Sequence, residues 1–190
     1  LIDINRIPEL RGIREEGGTV VIGAMTVEND LISSPIVQAK LPLLAEAAKL
    51  IADPQVRNRG TIGGDIAHGD PGNDHPAIAM ALDATFVLQG PKGERKVKAV
   101  DFFKGTYMTE LAEGEILTAI LAAPFAKGTG YAYQKLKRKT GDWATAGAAV
   151  KVWDVEHQAG VERNAADTFE RQARQFTRGL ADVRVALQAY

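Results

Sequence analysis

The sequence predicts an α+β fold built on a mixed, mainly antiparallel sheet with separate helices, and three observations carry that prediction. Residues 12–24 and 84–100 each hold two β-branched or alternating segments joined by a short glycine turn, the pattern of a β-hairpin. Between them, residues 41–52 and 76–82 are rich in Ala and Leu, with apolar side chains at three- and four-residue intervals, as in buried helices. Strands and helices do not alternate, and no Gly-x-Gly-x-x-Gly follows a strand. A Rossmann-type parallel sheet is therefore not expected.

Taken in order, Leu1 to Leu10 reads as a short strand or turn broken at Pro8, and residues 12–24 form a hairpin around Gly17-Gly18. Thr26 reads as the N-cap of a helix from Val27 to Ile32, with Asn29 at the third helical position and Ser33-Ser34-Pro35 as its stop. Leu41 to Ala52 is a buried helix, and Pro76 opens another that runs to Leu82. The second hairpin turns at Pro91-Lys92-Gly93, Phe102 and Phe103 cover an edge of the core, and residues 115–122 form a further strand. Residues 124–130, with Gly128 and Gly130, read as a boundary between a domain at 1–124 and a smaller one at 125–190. In the second, Tyr131 to Arg138 and Ala144 to Trp153 read as strands and Leu180 to Leu187 as a third. Ala165 to Phe176 is charged and amphipathic, and reads as a surface helix or partner-facing element.

The richest stretch lies between the two central helices. Asp53 to Asp83 holds Gly60, Gly63, Gly64, Gly69 and Gly72, the hydroxyl of Thr61, and the carboxylates of Asp65, Asp70 and Asp74. Bare glycine lets main-chain amides approach a ligand, and amides, a hydroxyl and fixed carboxylates together suit a nucleotide cofactor with both phosphates and hydroxyls. The alternative is that these residues simply make tight turns.

Gln55-Val56-Arg57-Asn58-Arg59-Gly60-Thr61-Ile62-Gly63-Gly64-Asp65-Ile66-Ala67-His68-Gly69-Asp70-Pro71, followed by Asp74-His75-Pro76-Ala77, resembles the second flavin-binding motif of the FAD-binding medium subunit of molybdenum hydroxylases. That family includes carbon monoxide dehydrogenase and xanthine dehydrogenase. Leu1-Ile2-Asp3-Ile4, Ile22-Gly23-Ala24-Met25-Thr26 and Tyr131-Ala132-Tyr133-Gln134-Lys135 resemble further landmarks in family order, and the resemblance extends from Leu1 to about Trp153. It implies a PCMH-type FAD-binding domain followed by a partial C-terminal α+β domain with a three-stranded sheet, incomplete at both ends. It also implies electron transfer. Noncovalent FAD would receive electrons from a molybdenum centre on a large subunit through 2Fe-2S clusters on a small subunit, and would pass them to an external acceptor. Carried over residue by residue, Thr61, Gly63 and Gly64 contact phosphate and ribityl groups, Asp74 contacts ribityl hydroxyls, and Lys135 lies on the flavin side. Ile62 and Ile66 pack either on the cofactor or in the core. Asp65 stands where the family often has Asn or Ser, and a carboxylate there would repel phosphate. A scaffold that holds no flavin is the alternative reading.

Composition narrows the rest. A net charge of −1 with 25% charged residues gives no field favouring nucleic acid or an anionic membrane. No apolar run is long enough to span a bilayer and no leader opens the chain, so a cytoplasmic location is expected. With Cys 0, disulfides, thiolate nucleophiles and cysteine-bound clusters are excluded. His68, His75 and His157 show no metal-ligand spacing; His68 and His75 lie in the glycine-rich loop, where a turn or surface position is expected and a ligand role is the alternative. Self-association through an exposed patch is a further expectation.

Overall fold

A computed structural model describes residues 2–152 and 183–189. Its centre is a five-stranded antiparallel sheet in the order β1-β2-β7-β3-β4. The expected first hairpin is β1 (Ile13–Glu16) and β2 (Thr19–Gly23), and the second is β3 (Thr85–Gly90) and β4 (Gly93–Lys98). Gly17 and Gly18 both have positive φ, 58° and 77°, as a two-residue turn matched to strand twist requires. β7 (Ile116–Ala122) fills the gap between the hairpins, pairing with β2 on one side and β3 on the other. The register slips between Val87 and Leu88, and Thr118 Oγ1 donates to the Val87 carbonyl at 3.1 Å beside the slip.

Strand alternation gives the sheet one apolar face. Val20, Ile22, Phe86, Leu88 and Ile120 are buried there beneath Leu31, Leu41, Leu44, Ile66 and Ile78 from the helices. Those helices are α1 (Glu28–Ser33), α2 (Pro35–Lys40), α3 (Pro42–Ala48), α4 (Pro54–Arg57), α5 (Ile62–His68) and α6 (His75–Ala81). α7 (Ala99–Phe102) leads into a two-stranded ribbon, β5 (Phe103–Gly105) and β6 (Met108–Thr109). As anticipated, Phe102 and Phe103 close the core, meeting Phe86 edge to face with centroids 4.7 and 6.0 Å away. The second sheet, in the order β10-β9-β8, comprises β8 (Gly130–Leu136), β9 (Ala146–Val152) and β10 (Val183–Ala189). It packs beside α6, and Tyr133 and Ala149 join the main core. The amphipathic stretch at Ala165 to Phe176 lies outside the described residues.

Of the strand or turn expected for the opening segment, the turn forms, as a 3-10 turn at Pro8–Leu10. Two other local expectations are corrected. Thr26 does not cap α1: Val27 holds that position without a side-chain bond. The Thr26 hydroxyl is engaged instead with Gly12, accepting its N–H at 3.1 Å and lying 3.2 Å from its carbonyl. The helix expected over Leu41 to Ala52 is shorter: it ends at Ala48, and the chain then turns through Ala52, whose φ is 43°. Asp53 then accepts the amides of Gln55 and Val56 and caps α4, an extra turn of helix.

One seam anchors the glycine-rich loop to the first hairpin. The Gly63 amide donates to Ala24 O at 2.8 Å, the Ile62 amide to Thr26 O at 3.1 Å, and the Glu28 amide to Gly60 O at 3.1 Å. Helix and strand approach so closely that a Cβ on Gly63 would stand 2.4 Å from Ala24 Cβ. Gly63→Ala should therefore destabilise the chain by about 1–3 kcal/mol through overpacking. Urea unfolding checks this, and an unchanged midpoint would refute the tight seam.

Candidate functional site

Next to that seam lies an open cleft of about 660 Å³, within the usual size range of small-molecule and cofactor sites. It is bounded by the first turn of α5, the start of α6, the end of β8 and the segment from Lys139 to Trp143. Of the seven residues singled out from sequence, Thr61, Gly64, Asp65, Asp74 and Lys135 line it. Ile62 and Gly63 do not. Ile62 is buried against the sheet, Gly63 faces Ala24, and both amides are already donated across the seam. Ile66 is likewise a core residue.

Thr61 caps α5, its Oγ1 accepting the Gly64 amide at 3.2 Å. Gly64 is exposed on the cleft side, and the one neighbour a Cβ would crowd is that same hydroxyl, at 2.9 Å. Asp74 accepts hydrogen bonds from the Tyr133 hydroxyl and from Lys135 Nζ, the latter at 2.7 Å. The side chains of Lys135 and Asp74 are only 2% and 4% exposed, so the pair is a buried ion pair. Burial first, then the charges of Asp74 and Asp65, push the Tyr133 phenol far above its ordinary value and keep it a donor.

His75 corrects the expectation of a turn or surface histidine. Its side chain is 1% exposed and sits between two carboxylates, Nδ1 2.7 Å from Asp65 Oδ2 and Nε2 3.4 Å from Glu28 Oε2. Burial alone would lower its pKa. Glu28, then Asp65, more than reverse that and hold the imidazole well above its ordinary value, as the cation. His68 is exposed at the cleft, its Nδ1 3.3 Å from Asn73 Nδ2 and its ring 5.2 Å from that of Tyr107.

Glu28, Arg59, Tyr133 and Trp143 were missed as site residues. Tyr133 and Lys135 stand two apart on a strand and so project to one face, a signal that could have grouped them. For Glu28 no local signal exists, since its partner His75 lies 47 positions away on another helix.

Residues 1–122 match the model of the FAD binding domain in molybdopterin dehydrogenase. The chain belongs to that family. As a molybdopterin dehydrogenase FAD domain it is 79% identical over 150 residues to the carbon monoxide dehydrogenase medium chain of Hydrogenophaga pseudoflava, covering 79% of this chain and 52% of the relative. It is 43% identical over 152 residues to the glyceraldehyde dehydrogenase medium chain of Sulfolobus acidocaldarius, covering 80% and 54%. A carbon monoxide dehydrogenase structure from H. pseudoflava superposes with a TM-score of 0.79 at 77% identity, covering 80% of this chain and 53% of that one. Quinoline 2-oxidoreductase from Pseudomonas putida gives 0.76 at 32% identity, again covering 80% and 53%. The chain thus spans about half the length of the relatives it matches. The site itself fits the family's cofactor: bare Gly64 admits close approach, hydroxyl acceptors line the cleft, and Arg59 and Lys139 have no ion pair among the described residues.

Two measurements probe the site's electrostatics. Lys135→Met leaves Asp74 without its cation, and should cost roughly 3–5 kcal/mol of stability in urea unfolding. Because the folded chain holds the His75 proton more tightly than the unfolded chain, the cluster's contribution is complete below the unfolded value of about 6.5. It is then lost as pH rises through the raised folded value. Unfolding followed against pH should show wild-type stability declining on that alkaline side, and the decline should be absent in His75→Gln.

Proposed function

We propose that this chain is the flavin-carrying part of the medium subunit of a molybdenum hydroxylase, specifically of a carbon monoxide dehydrogenase. The 79% identity to the medium chain of that name carries the proposal, and the cleft's chemistry supports it. When bound, FAD supplies a redox centre that takes electrons from iron–sulfur clusters and releases them to an external acceptor. The protein partners are a small iron–sulfur subunit and a large molybdenum subunit, and the complex is cytoplasmic. Among the described residues, no helix is long and apolar enough to cross a membrane. Residues 1–124 act as the FAD-binding domain and residues 125–190 as the partial C-terminal domain.

This chain's own residues bind and orient. Thr61 offers its hydroxyl proton and bare Gly64 a side-chain-free approach to phosphate and ribityl oxygens, the Gly64 amide itself being held by Thr61 Oγ1, with Ile62 and Gly63 anchoring that turn from the core side. Asp74 accepts ribityl hydroxyls while Lys135 and Tyr133 fix its carboxylate. Lys135 carries its positive charge to the flavin side, and Arg59 and Lys139 attract the phosphates.

The test is flavin retention. The purified chain, mixed with excess FAD and gel filtered, should elute with close to one flavin per chain. Gly64→Val, which pushes two methyl groups toward the cleft, should elute colourless with an unchanged circular dichroism spectrum. A folded wild-type chain that elutes colourless would sink the reading.

A further inference from the structure

Four carboxylates line the cleft: Glu28, Asp65, Asp74 and Asp142. Two have a cation of their own, Asp74 with Lys135 at 2.7 Å and Asp142 with Arg138 at 3.3 Å. The other two, Glu28 on α1 and Asp65 on α5, share one, the His75 ring at the start of α6. His75 does not itself line the cleft; it stands behind the wall that these two side chains form. Asp65 Oδ2 faces both Nδ1 and the main-chain amide of His75, at 2.7 and 3.4 Å. Oδ1 makes no hydrogen bond among the described residues, and is the oxygen left for a ligand.

We propose that His75 is a positioning residue for the flavin dinucleotide. From behind the wall it holds Asp65 with one oxygen turned to a ligand hydroxyl, and it offsets the charge of Asp65 and Glu28 so that the wall tolerates phosphate. The inference rests on the FAD reading of the cleft. It resolves the objection raised by the sequence, that a carboxylate at position 65 repels phosphate, because this carboxylate comes with a built-in counter-charge. Without the imidazolium the wall would present two uncompensated negative charges in a partly desolvated site, where Coulomb interactions are strong. The charged groups around the ring are few. Glu28 and Asp65 face it, and Asp74, the preceding residue, is engaged by Lys135 and Tyr133.

Affinities for FAD and for riboflavin, which lacks phosphate, separate this role from a merely structural one. Measured by flavin fluorescence at low salt, FAD affinity should fall on the order of tenfold in His75→Gln, while riboflavin affinity changes little. The triple variant Glu28→Gln/Asp65→Asn/His75→Gln, neutral throughout, should recover FAD affinity. In the wild type the preference for FAD over riboflavin should decline as pH rises through the imidazole titration, a readout that needs no variant. A folded His75→Gln that binds both flavins with the wild-type ratio would overturn the inference and leave the FAD reading standing. Should that variant not fold, a wild-type ratio that is flat with pH would do the same. A wild-type chain that binds neither flavin would remove both together.

Discussion

The seam between the first hairpin and the central loop governs the rest of the structure. Three main-chain hydrogen bonds join Ala24, Thr26 and Glu28 to Gly63, Ile62 and Gly60, and Gly63 lets the two backbones meet without a side chain between them. Two helices start at this line, α1 from Glu28 and α5 from Ile62. Glu28 and Asp65 are thereby brought to one wall, although 37 positions separate them. The Thr26 hydroxyl, tied to Gly12, fixes the same corner to the incoming strand. A helix cap would have served only α1; this arrangement braces the hairpin and the loop at once.

How much was legible depends on how local each determinant is. Both hairpins and the central helices could be read because period and turn chemistry are properties of neighbouring residues. The glycine-rich loop stood out for the same reason, and part of it lines the cleft. Which glycine faces the cleft was not legible, since Gly63 is claimed by Ala24 on the far side of the seam, and nothing near Gly63 announces that contact. The role of Thr26 was misread likewise: a Thr before a helix is the usual cap signal, and only the distant Gly12 outcompetes it. Propensity foresees neither the end of α3 at Ala48 nor the left-handed Ala52 beyond it.

The site charges were the least legible part. The glycine string points to a cofactor, but whether Asp65 helps or hinders depends on His75 and, through it, on Glu28. Sequence alone treats Asp65 as one negative charge facing a phosphate. In the fold it belongs to a three-residue group with a net charge of −1, spread over two carboxylates and one buried cation. The relevant quantity is the charge of the cluster, which no single position reports.

That cluster also explains why the cleft keeps its shape. Asp74 and His75 are consecutive, yet Asp74 turns to Tyr133 and Lys135 on β8 while His75 turns to α1 and α5. A cation at the N-terminal end of a helix opposes the helix dipole, so His75 needs both carboxylates to remain charged there. A buried aspartate without partners would cost several kcal/mol, so Asp74 needs β8 docked in place. Each requirement pulls a different wall of the cleft onto the start of α6. The two walls are therefore set by the same short segment before any ligand arrives, and a ligand entering such a preorganised site loses less of its binding free energy to ordering the protein.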